Sequence, residues 1–306
     1  MKTMKLTGFA LTAALGIGLV SCSDDDNNNG FTQLPPIGGY YSADEVGAAD
    51  LLAYWPLNGN GTESKSNTAP NNTQNTSWVS GIKGQAASFN TGFLDYPSIP
   101  ALNSPEGSIT ISCWAKISNT KLVDGGPSNI SPIVAFSGGP NTNIGNLALF
   151  GNTHGLVSSD SIQIKAEFHF AMPDGVTDFN GDCINMIKQE SWMDDTHTWN
   201  PNKIGGQWAH IVYVYDGSTA NNRIYVNGVK ISNSAWESRN NGDAMPMDFF
   251  QPTHPMIGAT PSVANGTNSE AWNAALKGDV DEVRVWKKVL SLADINSLYQ
   301  LELAGR

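Results

Sequence analysis

From residue 51 to residue 286 the chain runs as short apolar or alternating segments, each closed by a cluster of Asn, Gly, Ser or Pro. Turn residues at such intervals leave no stretch for a helix of about ten residues or more, and alternation sends successive side chains to opposite faces of a strand. Ile109, Ile111, Cys113, Ala115 and Ile117 therefore share one face, and Thr110, Ser112, Trp114 and Lys116 the other. Further strands are expected at 51–55, 85–89, 133–136, 146–150, 162–170, 208–215, 223–226, 255–257 and 280–286. Asn227-Gly228 supplies a tight hairpin turn, because both residues tolerate positive φ, and pairs Val226 with Val229, Lys230 and Ile231. Ser291 with Asp294 three residues on reads as a helix N-cap, and Leu292, Ile295, Leu298 and Tyr299 keep helical spacing, so one short C-terminal helix closes an all-β chain.

Charge and sulfur narrow the function classes. With 28 acids against 17 bases and a net charge of −11, no basic surface is left to track a phosphate backbone, which excludes nucleic acid as a partner. The three cysteines lack C-x-x-C spacing, so a zinc site built on sulfur is excluded too. Cys113 falls on the core face by alternation. A bridge from it to Cys183 is permitted outside the cytoplasm, but both are expected to stay unpaired as small apolar residues.

The N-terminus reads as an address. Lys2 and Lys5 precede an apolar run, 6–20, of about 15 residues, shorter than the ~20 needed to cross a bilayer as a helix. It ends Leu19-Val20-Ser21-Cys22, which resembles the bacterial lipoprotein box and implies cleavage after residue 21 and lipidation of Cys22. The following Ser23-Asp24-Asp25-Asp26-Asn27-Asn28-Asn29 has nothing to bury and must be solvated. It resembles the acidic export signal of Bacteroidetes lipoproteins, which implies an outer-membrane protein facing the cell exterior. The expected organisation is a signal peptide at 1–21, a polar linker at 22–46 and one domain at 47–306.

Several segments occur together in a recognisable order: Leu52-Ala53-Tyr54-Trp55-Pro56-Leu57-Asn58-Gly59; Gly84-Gln85-Ala86-Ala87-Ser88-Phe89; Ser108 to Lys116; Gly206-Gln207-Trp208-Ala209-His210-Ile211-Val212; Arg223-Ile224-Tyr225-Val226-Asn227-Gly228-Val229; and Gly278-Asp279-Val280-Asp281-Glu282-Val283-Arg284-Val285-Trp286. Over about residues 51–301 the chain resembles the laminin G-like domains of the concanavalin A-like lectin/glucanase superfamily. The resemblance implies a jelly-roll sandwich of two curved antiparallel sheets, with ligands on the concave face or the rim loops. It implies no single activity, since the fold hosts lectins, glycosidases, lyases and adhesion domains. It also implies one structural calcium ion, held by Asp281 with backbone oxygens near Asn58 and Gly59; an Asp281 that caps a strand end or pairs with Arg284 is the other reading.

Catalysis finds little support. Glycoside hydrolysis needs two carboxylates about 5–9.5 Å apart, and the family's Glu-x-Asp-x-x-Glu signature is absent, leaving only Asp279 and Asp281 on one strand face. His210 has no nucleophile pattern beside it in sequence and reads as structural. Asp178-Phe179-Asn180-Gly181-Asp182 begins like an EF-hand loop, but Cys183 stands where its glycine belongs, so a solvated turn is expected.

The segment 169–206 is too long for a hairpin loop and carries Trp192 and Trp199 among Asp194, Asp195, His197 and Asn200. An indole offers a flat apolar face to the C–H side of a pyranose while carboxylate and amide groups take its hydroxyls, so these six residues are the expected ligand site. Indoles folded inward as a satellite core are the competing reading. Trp236 and Trp272 are further candidates, and Trp114 is expected to pack. The expected function is a non-catalytic, glycan-binding surface lipoprotein attached to the membrane through its lipid alone. A structural or adhesion module that binds protein is the alternative, and a glycosidase or polysaccharide lyase with an unrecognised site the lesser one.

Overall fold

In a computed structural model of the protein, residues 33–103, 105, 107–152, 156, 157 and 160–306 are described. The predicted signal peptide, Cys22 and the acidic run lie outside them. Among the described residues the alternating segments form thirteen strands: β1 (Leu51–Trp55), β2 (Asn72–Ser80), β3 (Gln85–Asp95), β4 (Ile109–Lys116), β5 (Ser131–Phe136), β6 (Leu147–Asn152), β7 (Gln163–Ala171), β8 (Asp178–Ile184), β9 (Trp208–Asp216), β10 (Asn221–Val226), β11 (Val229–Lys230), β12 (Pro255–Ile257) and β13 (Leu276–Trp286). They pair antiparallel in the order β11-β10-β9-β4-β13-β3-β12-β5-β6-β7-β8, with β1 added on β13 and β2 on β3. The ladder is continuous, so the two layers of the jelly roll are halves of one curled sheet. The curl brings its far ends together: Cys183 Sγ of β8 lies 3.5 Å from the Asn222 carbonyl of β10, and the Asn233 N–H donates to the Ile184 carbonyl at 2.9 Å.

The inner faces share one core. Ile109, Ile111 and Cys113 of β4 and Ile211 and Tyr213 of β9 meet Leu147 and Leu149 of β6 and Ile164, Ala166, Phe168 and Phe170 of β7. Cys113 and Cys183 are buried and free, and burial pushes the Cys113 thiol up to about 12.

Two expectations change, and one strand appears that the sequence did not mark. The segment Asn72–Ser80 has almost no apolar residue, yet it pairs along β3; only one of its edges is bonded, so its polar side chains meet water. The expected solvated turn at 178–182 is instead strand β8, matched residue by residue to β7 from Lys165↔Ile184 to Ala171↔Asp178. The long loop is thereby reduced to 185–207. The linker expected to run to residue 46 gives way to the compact unit at Pro35. Ala43 and Val46 are buried, packing with Ile37 and Tyr40 onto Trp286, Leu298 and Leu301.

A short turn, α1 (Pro261–Ala264), precedes β13, and the closing helix is α2 (Leu292–Leu303), started by the Ser291–Asp294 capping box. No described helix is long and apolar enough to cross a membrane. Ile295, Leu298 and Leu301 of α2 cover the outer face of β9 and β13 at Val212, Val214 and Trp286. Beneath the helix lies a buried ionic cluster. Arg284 Nη2 pairs with Glu282 Oε2 and with Asp44 Oδ1, each at 2.9 Å, and Nη1 pairs with Glu302. The guanidinium stands 4.0 Å over the Tyr54 ring. Trp114 Nε1 donates to Glu302 Oε2 at 2.8 Å, so Trp114 is a packing residue, 2% exposed.

Removing the arginine would strand two buried carboxylates. Arg284→Met is expected to lower stability by about 3–5 kcal/mol, read from urea unfolding. A loss below about 1 kcal/mol would show that the cluster does not hold the helix to the sheet.

Candidate functional site

The alternation that turns Ile164, Ala166, Phe168 and Phe170 inward turns Gln163, Lys165, Glu167 and His169 outward on β7. The β7–β8 register sets Ile184 opposite Lys165, Asp182 opposite Glu167 and Asn180 opposite His169. On the other side, β6 brings Phe150 opposite Lys165, with Nζ 5.9 Å from the ring centre. Lys165 Nζ holds both facing carboxylates, Glu167 Oε2 at 2.9 Å and Asp182 Oδ2 at 3.1 Å. Arg239 Nη2 takes the other oxygen of Asp182 at 2.8 Å. His169 bonds Asp178 Oδ2 through Nδ1 at 2.9 Å and faces Asn141 Nδ2 at 2.8 Å with Nε2.

Three hollows meet at Lys165 and form one groove. The first, about 410 Å³, is lined by Ile130, Ile144, Phe150 and Trp272. The second, about 280 Å³, lies over Glu167, His169, Asn180 and Asp182. The third, about 480 Å³, is walled by Ile184, Met186, Trp192, Trp236 and Arg239. Trp192 is 56% exposed and lies nearly parallel to Trp236, ring centres 6.2 Å apart at 18°. His197 stands edge-on to both rings, and its Nδ1 meets Asp194 Oδ1 at 2.9 Å.

Of the six predicted ligand residues, the structure sets Trp192 in the groove wall, with His197 and Asp194 behind it as its support. Hydrogen bonds from Thr196, then from His197, hold the Asp194 carboxyl down at about 2. Trp199, though 48% exposed, is not among the residues lining these hollows; its backbone bridges to Met186. Asn200 serves the same connection, its side chain accepting from the Asn202 N–H at 2.7 Å, and Asp195 is exposed. Sequence reasoning missed Lys165, Glu167, Asp182, Arg239 and Asn141. The signal for Lys165, Glu167 and His169 was present, since they alternate with the apolar residues of the predicted strand 162–170.

Two arrangements invite a catalytic reading. Glu167 and Asp182 face each other across β7 and β8, but hydrolysis of a glycoside needs one carboxyl held protonated near neutrality. Burial pushes Glu167 up, and the hydrogen bonds from His169 and Lys165 outweigh it, holding the carboxyl below its ordinary value. The same two carboxylates outweigh the burial of Lys165 and keep its ammonium charged. Elsewhere Ser112 Oγ lies 2.7 Å from His210 Nε2, with Glu302 Oε2 at 3.5 Å from the same nitrogen. Serine, imidazole and carboxylate share one ring nitrogen instead of bracketing the ring, and no substrate can reach a histidine with no exposed surface. Burial and the nearby Arg284 lower His210 to about 3, so it is neutral.

The predicted calcium ligands do gather, around the turn at 81–84. Asp281 Oδ2 accepts from the Ile82 and Lys83 N–H groups at 2.7 and 3.2 Å, and Oδ1 from the Glu282 N–H at 2.9 Å. Asn58 Oδ1 accepts from the Gln85 N–H at 2.6 Å, with Gly59 beside Gln85. Gly84, at φ +82°, leaves Asn58 the space a Cβ would fill. As arranged, these atoms clasp a turn, and a cation would have to displace the amides. Among the described residues no group of three or more His, Cys, Asp or Glu is placed to hold a metal ion.

A curled antiparallel sheet of this strand order, closed by a C-terminal helix, is the concanavalin A-like fold. A laminin G-like family model, described as the concanavalin A-like lectin/glucanases superfamily, matches residues 90–296, and the chain belongs to that family. No curated protein matches it in sequence. Among solved structures, the binding domain of Paraclostridial mosquitocidal protein 1 is similar with a TM-score of 0.53 at 13% identity, over 82% of this chain and 52% of that one. The binding domain of botulinum neurotoxin serotype G gives 0.51 at 12%, over 82% and 51%. Domain 4 of AbnA, an extracellular arabinanase of Geobacillus stearothermophilus solved with arabinotriose, gives 0.48 at 17%, over 82% and 98%. The chain thus spans about half the length of the two toxin binding domains, and at these identities the likeness shows the fold alone.

The Asp281 clasp carries a pH signature. Burial and the neighbouring Glu282 charge raise its carboxyl to about 7, against the three amides that lower it. A carboxyl raised on folding adds stability below its unfolded value, near 4, and loses it as pH climbs through 7. Asp281→Asn, which stays neutral, is expected to gain on the wild type between pH 4 and 8 in parallel urea titrations. A difference constant over that range would show that Asp281 stays ionised in the fold.

Proposed function

We propose that this protein is a lipid-anchored, non-catalytic glycan-binding module displayed on the outer face of an outer membrane. The observation that carries the reading is the groove centred on Lys165. Exposed indoles stand at both ends, Trp272 at one and Trp192 stacked on Trp236 at the other, and fixed charges and amides lie between them. Few polar groups on an apolar, aromatic-walled surface is the chemistry that holds a sugar ring by its C–H face and its hydroxyls at once. The clamping of both groove carboxylates on Lys165 supports binding without turnover.

Support for display comes from the h-region, Cys22 and the acidic run. The compact unit begins at Pro35, whose carbonyl accepts from Arg306 Nη1 at 3.0 Å, just past the end of α2. That helix covers the outer face of β9 and β13, whereas the groove lies on the outer face of β6, β7 and β8. The two faces point away from each other across the shared core.

Loss of one stacking platform is expected to weaken retention on a polysaccharide affinity gel about tenfold for Trp192→Ala or Trp272→Ala. Stability should stay within about 0.5 kcal/mol of wild type, since both indoles are solvent-facing. Normal retention by both variants would move the site off the groove. Pull-down of a protein with no polysaccharide retained would favour adhesion instead. For the anchor, metabolic labelling with a palmitate analogue should mark the wild type and not Cys22→Ser, and added protease should cleave the protein on intact cells. An unlabelled wild type would remove the anchor, and a protected one the surface exposure.

A further inference from the structure

We infer that the groove selects neutral, hydroxyl-only glycan chains and excludes uronate- or sulfate-bearing ones, an inference that rests on the glycan-binding reading above and narrows it to a substrate class. Both groove cations already face carboxylates. Lys165 Nζ is shared by Glu167 and Asp182, and Arg239 Nη2 is taken by the second oxygen of Asp182. A ligand carboxylate or sulfate settling on either cation would sit within hydrogen-bonding reach of these two carboxylates. Like charges that close, in a half-buried hollow where water screens poorly, repel enough to reject a partner. The net charge of −11 opposes an anionic polymer before it arrives.

A hydroxyl meets no such barrier, because it both donates and accepts. The ammonium has three hydrogens for two carboxylate partners, and each carboxylate has about four lone-pair positions, so the ion cluster can serve sugar hydroxyls without being broken. Asn143 adds a side-chain amide to the same hollows and Asn180 its side-chain carbonyl, while the Asn141 amide is held by His169 and by the Asn143 and Ile144 N–H groups. The groove floor runs from Phe150 on β6 to Ile184 on β8, two strand spacings or about 9–10 Å, before the indoles rise at either end. That length admits more than one sugar ring, so a short chain can meet both aromatic ends.

The test uses affinity gels of neutral polymers (glucans, mannans, galactans, arabinans) and of anionic ones (pectate, alginate, chondroitin sulfate) at low and high NaCl. Wild type should be retained on a neutral gel, changing less than about twofold with salt, and pass through every anionic gel. Glu167→Gln combined with Asp182→Asn frees both cations and should gain salt-sensitive retention on an anionic gel, about tenfold or more over wild type. Salt-sensitive retention of the wild type on an anionic gel would overturn the neutral selection while leaving glycan binding standing. Retention on neither class would overturn glycan binding itself. If the double variant fails to melt cooperatively, the wild-type comparison of the two gel classes decides alone.

Discussion

The inner side of the long strands other than β2 is apolar, and a single antiparallel sheet can hide that side from water only by curling until its two halves close on each other. Ile111 and Cys113 of β4 then meet the side chains of β6 and β7 in one core. Everything else about the molecule follows from what happens to the two outer faces that this closure creates. One is roofed by α2 and by the residues after Pro35; the other is left open between β6 and β8. Closure by curling keeps hydrogen bonding continuous through the short strand β12, so the two layers share a bonded corner there.

The roofed face and the open face handle charge in contrasting ways. Under α2, Arg284 is buried with Glu282 and Glu302, where removing a partner leaves a charge with no water to take its place. In the groove the same ingredients, one cation between two carboxylates, stay in reach of solvent and therefore of a ligand. An ion cluster at the bottom of an open groove is stiff, because its members hold each other, and polar in both senses, because Arg239 on Asp182 brings the cluster to two charges of each sign. Stiffness lowers the ordering cost of holding a ligand, and mixed polarity suits hydroxyls. The aromatic walls are also braced: Asp194 holds His197, which buttresses Trp192 against Trp236.

Much of this was legible before any coordinates. The period of two in 109–117 and 162–170 gave the strands and their inward faces, and Ser291 with Asp294 marked the start of α2. Strands β2 and β8 were not legible, for one physical reason. Each lies on the margin of the sheet and buries few apolar side chains, β8 only Phe179 and Cys183 with a glycine between them, so the alternation by which a strand is recognised is absent in β2 and faint in β8. The misreading of β8 as a turn hid half of the groove, because Asp182 and Ile184 reach it only through pairing with β7. Trp192 could be named from its polar company, whereas Arg239 arrives from a loop 57 residues away from Asp182.

The sequence by itself determined which residues alternate, and hence that Lys165, Glu167 and His169 share a face opposite Phe168 and Phe170. It also set the net charge of −11, and the apolar run and cysteine at its N-terminus. Tertiary structure alone decided which outer face stays open. Trp114 and Lys165 both point away from the core on neighbouring halves of the same sheet, but α2 packs over the first, whereas among the described residues the second lines an open groove. Alternation says on which side of a strand a side chain lies; whether that side meets water depends on a helix almost two hundred residues away in the chain.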